Sequence, residues 1–385
     1  MLKLVTIIGA RPQMIKAAAI SRAIRLDFNN EIEEIIVHTG QHYDVAMSQV
    51  FFDELQIPKE KYNLEIGSGS HAVQTAKMMI ALESVLLKEK PDALITYGDT
   101  NSTLAACLTA VKLFIPIIHI EAGVRGYNKH FPEEVNRLIC DHLSSMLFVP
   151  TVAGIESLKK ESIIHNNQVK VANFNQPKVF LTGDIMYDNT IYFSAISEKK
   201  KDLIQAKYDL PETFILVTIH RPSNVDDFNN LYGIFTAIER ISVEFNKSFV
   251  IPVHPRTKAI IEKNNELSSL IKRLNILLIP PVSFIEMIYL ESTASFIMTD
   301  SGGVQKEAYF LQKPCIIMLD ETPWTELIES GNAILTGNDP EKIYLAYKEL
   351  TQRKLQFDLK LYGDGNASTF IVQTILNDFK SIAEI

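Results

Sequence analysis

Residues 93–123 read ALITYGDTNSTLAACLTAVKLFIPIIHIEAG, and this stretch decides the fold class. An apolar, β-prone run over 93–97 stops at Gly98-Asp99. A helical pattern over 104–114 follows, with apolar residues at three- and four-residue spacing. A second apolar run, 116–120, then stops at Glu121. Strand, helix and strand in this succession make one unit of an α/β protein with a mainly parallel sheet. Working outward, further strands are expected over 4–8, 35–38 and 146–149, with a helix over 72–88. Residues 166–178 (NNQVKVANFNQPK) read as a surface loop before a strand over 179–182. A second series begins after Leu210-Pro211, with strands over 214–219, 248–253, 275–279, 295–299 and 314–318. The expected architecture is therefore two Rossmann-like domains facing a cleft, over 1–175 and 176–366. An amphipathic helix over 367–385 is expected to pack back on the first.

Composition narrows the function classes. A chain of 385 residues with 46% hydrophobic content can bury two cores. Its net charge of −8 argues against a general nucleic-acid binder, which needs basic excess to neutralise phosphates. Lys199, Lys200 and Lys201 read as a solvated helix start or linker. Cys107, Cys140 and Cys315 are scattered in apolar contexts, which suits buried thiols in a reducing cytosol. No apolar run approaches the roughly eighteen residues that a membrane span needs, so a cytoplasmic protein is expected. No metal is expected either, because no HExxH or comparable ligand spacing occurs.

The carboxylates fall where apolar runs end. Asp99 and Glu121 follow strands, and in an open parallel sheet the carboxyl ends of the strands border the ligand crevice. Glu133, in HFPEEVNR, follows Pro132 and reads as a helix-start acid. Three acids in one crevice suggest proton transfer on a bound ligand, and their crowding should raise at least one pKa. The plainer reading makes them a cap, a loop acid and a helix-dipole partner. The first strand runs into Gly9-Ala10-Arg11-Pro12-Gln13-Met14-Ile15-Lys16, without the G-x-G-x-x-G of a dinucleotide fold. Arg11 and Lys16 at a helix start suit an anion, or else are solvated turn cations. MTDSGGVQKEA, residues 298–308, carries the strongest signal: a strand ends at Asp300, and Ser301, Gly302 and Gly303 open a helix. That combination suits phosphate, with Glu307 one turn on and able to accept from a ribose diol. A tight turn with an exposed Glu307 is the alternative. His220-Arg221 and His254 with Arg256 close two successive strands and offer positive charge and an acid/base group. His119, inside an apolar strand, reads as structural, and His42 as a residue that could line the cleft.

These motifs, in this order, resemble the non-hydrolysing UDP-N-acetylglucosamine 2-epimerase family. The resemblance runs from GARPQMIK through TGQHYD, YGDTNST, HIEAG, FPEEVNR, TGDIMYD, TIHRP, PVHPRT and TDSGGVQKEA to DETPW. It implies the glycosyltransferase-B type of fold, with UDP held mainly by the C-terminal domain. Asp99, Glu121 and Glu133 then correspond to catalytic acids and His220 to a catalytic histidine. Arg11, Lys16, His254, Ser301, Gly302, Gly303 and Glu307 match nucleotide-binding positions, with His42, Arg137, Arg221 and Arg256 as further substrate-binding candidates. Leu319 stands where family members often carry an arginine, so a phosphate or sugar contact is missing or supplied by Arg221 or Arg256. PQ after Arg11 and YD after His42 are more like a branch acting on UDP-2,3-diacetamido-2,3-dideoxyglucuronate. The implied enzyme is a cofactor-free isomerase of UDP-sugars that feeds surface polysaccharide synthesis, with a homodimer expected. A hydrolysing 2-epimerase or a UDP-sugar-dependent glycosyltransferase would use a similar cradle.

Overall fold

The computed structural model describes residues 1–41, 52–165, 172–274, 276–357 and 360–383. The chain divides into two compact units, one made of 1–189 with 361–385 and the other of 190–360.

The first unit is built on a seven-stranded sheet in the order β3-β2-β1-β4-β5-β6-β7. These strands are β1 (Leu2–Ile8), β2 (Ile32–His38), β3 (Tyr62–Asn63), β4 (Ala93–Tyr97), β5 (Ile117–Ile120), β6 (Met146–Val149) and β7 (Lys178–Leu181). All of the pairings are parallel. That explains why β4, β5 and β6 are apolar at every position except Thr96 and His119: a parallel sheet is covered on both faces. One covering layer is the helix His71–Glu89 with Asn101–Lys112, where Met78, Leu82 and Leu86 meet Ala105, Ala106 and Ala110 over Val5, Ile7 and Leu94. The small alanines let that second helix lie close to the strands. β7 joins this sheet beside β6, so the first unit extends to Asn189 and does not stop at 175. The helix Ala367–Ala383 packs against Arg11–Asp27. It is fastened by Lys178 to Asp378, by the Ala172 N–H to Asp378 (3.0 Å), and by Ser368 to Asp188.

The second unit carries six parallel strands in the order β10-β9-β8-β11-β12-β13. They are β8 (Ile215–Thr218), β9 (Phe249–Pro252), β10 (Ile276–Ile279), β11 (Phe296–Thr299), β12 (Cys315–Ile317) and β13 (Ala333–Leu335). Its core gathers Val217, Ile251 and Met298 with Leu231, Phe235 and Ile238 of the helix Phe228–Phe245 and Tyr347 of Pro340–Gln352. The unit boundary falls within the helix Ile185–Glu198. Both sheets reverse their strand order once, between β1 and β4 in the first unit and between β8 and β11 in the second. Such switch points are where open α/β sheets leave a crevice for ligands. Among the described residues no helix is long and apolar enough to cross a membrane.

Candidate active site

The switch point of the first unit is lined from β1, β4 and β5. Gly9 ends β1, and a Cβ there would stand 2.0 Å from Thr39 Oγ1 and 2.3 Å from Ser102 Oγ. This glycine is demanded by close packing of the ends of β1 and β2 against the start of the helix Asn101–Lys112. The helix Arg11–Asp27 starts next, with Pro12 in its first turn. Arg11 projects outward, whereas Gln13 is buried and ties the helix to β4, donating to the Tyr97 carbonyl (3.2 Å) and Thr103 Oγ1 (3.0 Å). Lys16 is buried as well and is in direct contact with the Glu121 carboxylate.

Asp99 follows β4 through Gly98, whose φ of +59° places it in the left-handed region that glycine tolerates. Its carboxylate receives two bonds from Arg137, at 2.9 Å from Nε and 2.5 Å from Nη2. Burial opposes the charge on Arg137, but Asp99 and Glu134 outweigh it and lift the guanidinium above its ordinary value. The same arginine reaches Glu134 at 3.0 Å. Glu121 has φ +69°, an uncommon conformation for a residue with a Cβ and a mark of backbone strain at the head of β5. Asp99 and Glu121 thus sit at neighbouring strand ends, each against its own cation.

The helix Pro132–Leu143 starts where expected, with Pro132 at its first position. Of its two leading acids, Glu134 is the buried one. It accepts the N–H groups of Gly126 and Tyr127, both at 2.9 Å, and so shapes the 126–131 loop. Glu133 is exposed and makes no hydrogen bond or ion pair among the described residues. The structure therefore pairs Lys16 with Glu121 and Arg137 with Asp99, and Glu133 enters neither pair. His42 lies outside the described residues.

The second unit presents a compact arrangement at its own switch point. Asp300, wholly buried after β11, accepts the backbone N–H of His220 (3.0 Å), that of Arg221 (2.9 Å) and Asn224 Nδ2 (3.1 Å). His220 Nδ1 lies 2.7 Å from its other oxygen. Burial would raise this carboxyl, but the His220 ring and the backbone donors prevail and hold it below the ordinary aspartate range. The imidazole itself is 55% exposed, so a buried carboxylate orients a ring whose far edge faces outward. Asp300 is a partner that motif reading passed over as merely the end of a strand.

Next to it, Ser301 caps the helix Gly302–Phe310 without any side-chain bond to the helix, and its own N–H is held by Thr299 Oγ1 at 2.9 Å. A Cβ at Gly302 would meet nothing within 4 Å, and one at Gly303 only Glu307 Oε2 and Ser301 Oγ, each at 3.9 Å. Neither has a left-handed φ. The fold could accommodate side chains at both positions, so the emptiness over the helix start suits a ligand that approaches the backbone N–H groups. Glu307 is buried, which removes the alternative of an exposed helix residue. Gln305 and Lys306 dock the following loop: Thr322 Oγ1 lies 2.7 Å from Gln305 Oε1, and Lys306 Nζ stands 4.0 Å from the Trp324 ring centre. His254 is exposed just beyond β9, and Arg221 Nε reaches back to the Asp300 carbonyl at 3.4 Å. The side chain of Arg256, on the helix Pro255–Lys263, lies outside what is described.

Residues 24–376 match the sequence profile of the UDP-N-acetylglucosamine 2-epimerase family. A UDP-N-acetylglucosamine 2-epimerase homolog of Methanococcus maripaludis is 44% identical over 377 residues, which span 98% of this chain and 100% of the relative. The UDP-2,3-diacetamido-2,3-dideoxy-D-glucuronate 2-epimerase of Pseudomonas aeruginosa is 42% identical over 372 residues, 97% of this chain and 99% of that one. Among solved structures, the UDP-GlcNAc 2-epimerase of Methanocaldococcus jannaschii in complex with UDP-GlcNAc and UDP superposes with a TM-score of 0.84 at 39% identity, covering 97% of this chain and 99% of the other. The two parallel sheets and this likeness agree with the α/β, glycosyltransferase-B type of fold expected from the motifs. The chain belongs to the UDP-N-acetylglucosamine 2-epimerase family.

Proposed function

We propose that the chain inverts C2 of a UDP-2-acetamido sugar by eliminating UDP and adding it back. The sugar is UDP-N-acetylglucosamine or the 2,3-diacetamido glucuronate analogue, and the product serves polysaccharide synthesis. The C2 hydrogen of such a sugar has no neighbouring carbonyl, so its direct removal is too costly. Breaking the C1–O bond first gives C1 oxocarbenium character and acidifies C2–H. The bonding pair leaves with the β-phosphate oxygen of UDP, and a base takes the C2 proton, which yields UDP and a 2-acetamidoglucal. Delivery of a proton to the opposite face of C2, with return of the UDP oxygen to C1, completes the inversion.

One observation carries this reading: Asp99 and Glu121 stand at adjacent strand ends, each held by a cation. Two fixed carboxyl groups, one ionised and one protonated at the start of a turnover, meet the need for a proton acceptor and a separate proton donor. The open helix start at Ser301-Gly302-Gly303 suits the departing diphosphate, and His220, oriented by Asp300, supplies positive charge or a proton beside it. Glu307 suits the ribose.

Turnover of each candidate sugar in D₂O, with oxygen-18 in the C1–O–P bridge, tests the route. Deuterium at C2 together with oxygen-18 scrambled into non-bridging β-phosphate positions is the expected result. Exchange without scrambling would point to transient oxidation at C3 and overturn the elimination. An acceptor conjugate, or free sugar with UDP, would identify a glycosyltransferase or a hydrolysing epimerase instead.

A further inference from the structure

We propose that His119 is a positioning residue for this reaction: from within β5 it clamps the Gly98 carbonyl, and through Asp141 the Gly123 N–H, thereby fixing the separation of Asp99 and Glu121. The proposal rests on the proton-transfer roles given to those two acids.

The geometry begins with a polar side chain where a parallel strand should be apolar. His119 is fully buried, with Nδ1 at 2.7 Å from Asp141 Oδ1 and Nε2 at 2.8 Å from the Gly98 carbonyl oxygen. Carboxylate and carbonyl are both acceptors, so only a ring protonated at both nitrogens satisfies both contacts. Burial opposes that charge, but Asp141 outweighs it and raises the ring above the ordinary histidine value. Asp141 is also fully buried; its other oxygen takes the Gly123 N–H at 3.0 Å and Arg125 Nη1 at 2.7 Å. Arg125 continues to Glu161 through Nε at 2.7 Å. A chain of alternating charges therefore runs beneath the turn that follows β5.

His119 and Asp141 each hold a backbone group within two residues of a candidate acid. Gly98 is the residue before Asp99, and both of its peptide groups are tied to β5: the N–H donates to the Ile120 carbonyl at 3.0 Å and the carbonyl accepts from His119. Gly123, at φ +77°, closes the turn that opens with the strained Glu121. A Cβ at Gly98 would lie 3.0 Å from Glu121 Oε2 and 3.1 Å from Lys16 Nζ, so the clamped glycine is also where the two turns converge. Rotation of the Gly98–Asp99 peptide would move the Asp99 carboxylate relative to Glu121. A buried charge network is an expensive way to hold a core and does hold geometry.

The test compares His119→Asn, whose amide can replace Nδ1 toward Asp141, with His119→Gln, whose amide can replace Nε2 toward Gly98. The Asn variant should lose about 10²-fold in kcat while KM and UDP affinity stay within about twofold, and the Gln variant should recover kcat to within about threefold of wild type. Because His119 acts through Asp99, adding His119→Asn to Asp99→Asn should reduce turnover no further. Equal losses in the two single variants that follow their thermal stability, or an additive double variant, would overturn the positioning role. Should the Asn variant fail to fold, His119→Ala takes its place: a loss of about 10²-fold in the Ala variant with the Gln variant within about threefold supports the role, and equal rates in the two refute it. The wild-type chain separates the two readings. If it epimerises neither UDP-sugar, the reaction assigned above is wrong and this role goes with it. Wild-type turnover with indifferent His119 variants removes only the positioning role.

Discussion

Replacing Asp300 by asparagine keeps the shape of the side chain and takes away its charge. In the native arrangement two carboxylate oxygens receive the N–H groups of His220 and Arg221, Asn224 Nδ2 and His220 Nδ1. An asparagine has one oxygen for these four donors, and its NH₂ must face at least one of them. One backbone N–H left without an acceptor in a buried site costs about 1–3 kcal/mol, and the remaining bonds lose roughly 1 kcal/mol of charge assistance. We expect a loss of about 3 kcal/mol, measured by chemical denaturation at neutral pH. Turnover should fall by about 10²-fold, since the His220 ring no longer has a fixed acceptor. The pH dependence has a definite sign. A carboxyl whose folded pKa is depressed contributes stability that is fully present above the unfolded value, about pH 4, and is lost as pH falls through the folded value. The gap between wild type and Asp300→Asn should therefore close as the pH drops below about 4. A variant within about 0.5 kcal/mol of wild type at neutral pH, with turnover intact, would refute the hub assigned to Asp300.

Gly9→Ala should destabilise the first unit by about 1–3 kcal/mol, because its methyl meets Thr39 Oγ1 and Ser102 Oγ far inside contact distance; thermal unfolding reads this directly. Glu307→Ala should weaken UDP binding in calorimetry more than it weakens binding of pyrophosphate, and equal losses would remove the ribose role. Asp99→Asn and Glu121→Gln should each keep UDP affinity and lose about 10²-fold or more in turnover. If both remain near wild-type rate, proton transfer lies elsewhere.

The strand–helix alternation was readable because most strands sit in sheet interiors, where both faces are buried and the sequence becomes a solid apolar run. β4 and β6 coincide with their expected limits for that reason. Tyr62–Asn63 and Ala333–Leu335 were not anticipated. They are edge strands of two and three residues, too short to produce a period. The candidate side chains Asp99, Glu121 and His220 stood out in the sequence because each lies within two residues of the end of a solid apolar strand. Partners distant in the chain were not legible. Arg137 serves Asp99 from a helix 38 residues on, and Asp300 serves His220 from 80 residues away. Glu133 and Glu134 were indistinguishable in FPEEVNR, because the next residue along a helix points about 100° round the axis. Only packing shows that Glu134 turns inward to Gly126, Tyr127 and Arg137. His119 has the same lesson: one polar residue in an apolar strand gives no hint of an aspartate 22 residues later.

The first unit is completed by the last helix of the chain, through Asp378 with Lys178, Ser368 with Asp188, and Lys380 with Glu31. This has a consequence for biosynthesis. During translation the seven-stranded sheet emerges first, yet its closing helix must wait while residues 190–360 are made. At about 5–20 residues per second that wait is roughly ten to thirty seconds, in which the surface of Arg11–Asp27 meant for the helix is uncovered. The second unit is continuous in the chain and can fold in that interval. A released chain truncated after residue 360 should accordingly hold a protease-resistant second unit beside a first unit that remains open to cleavage, and to chaperones.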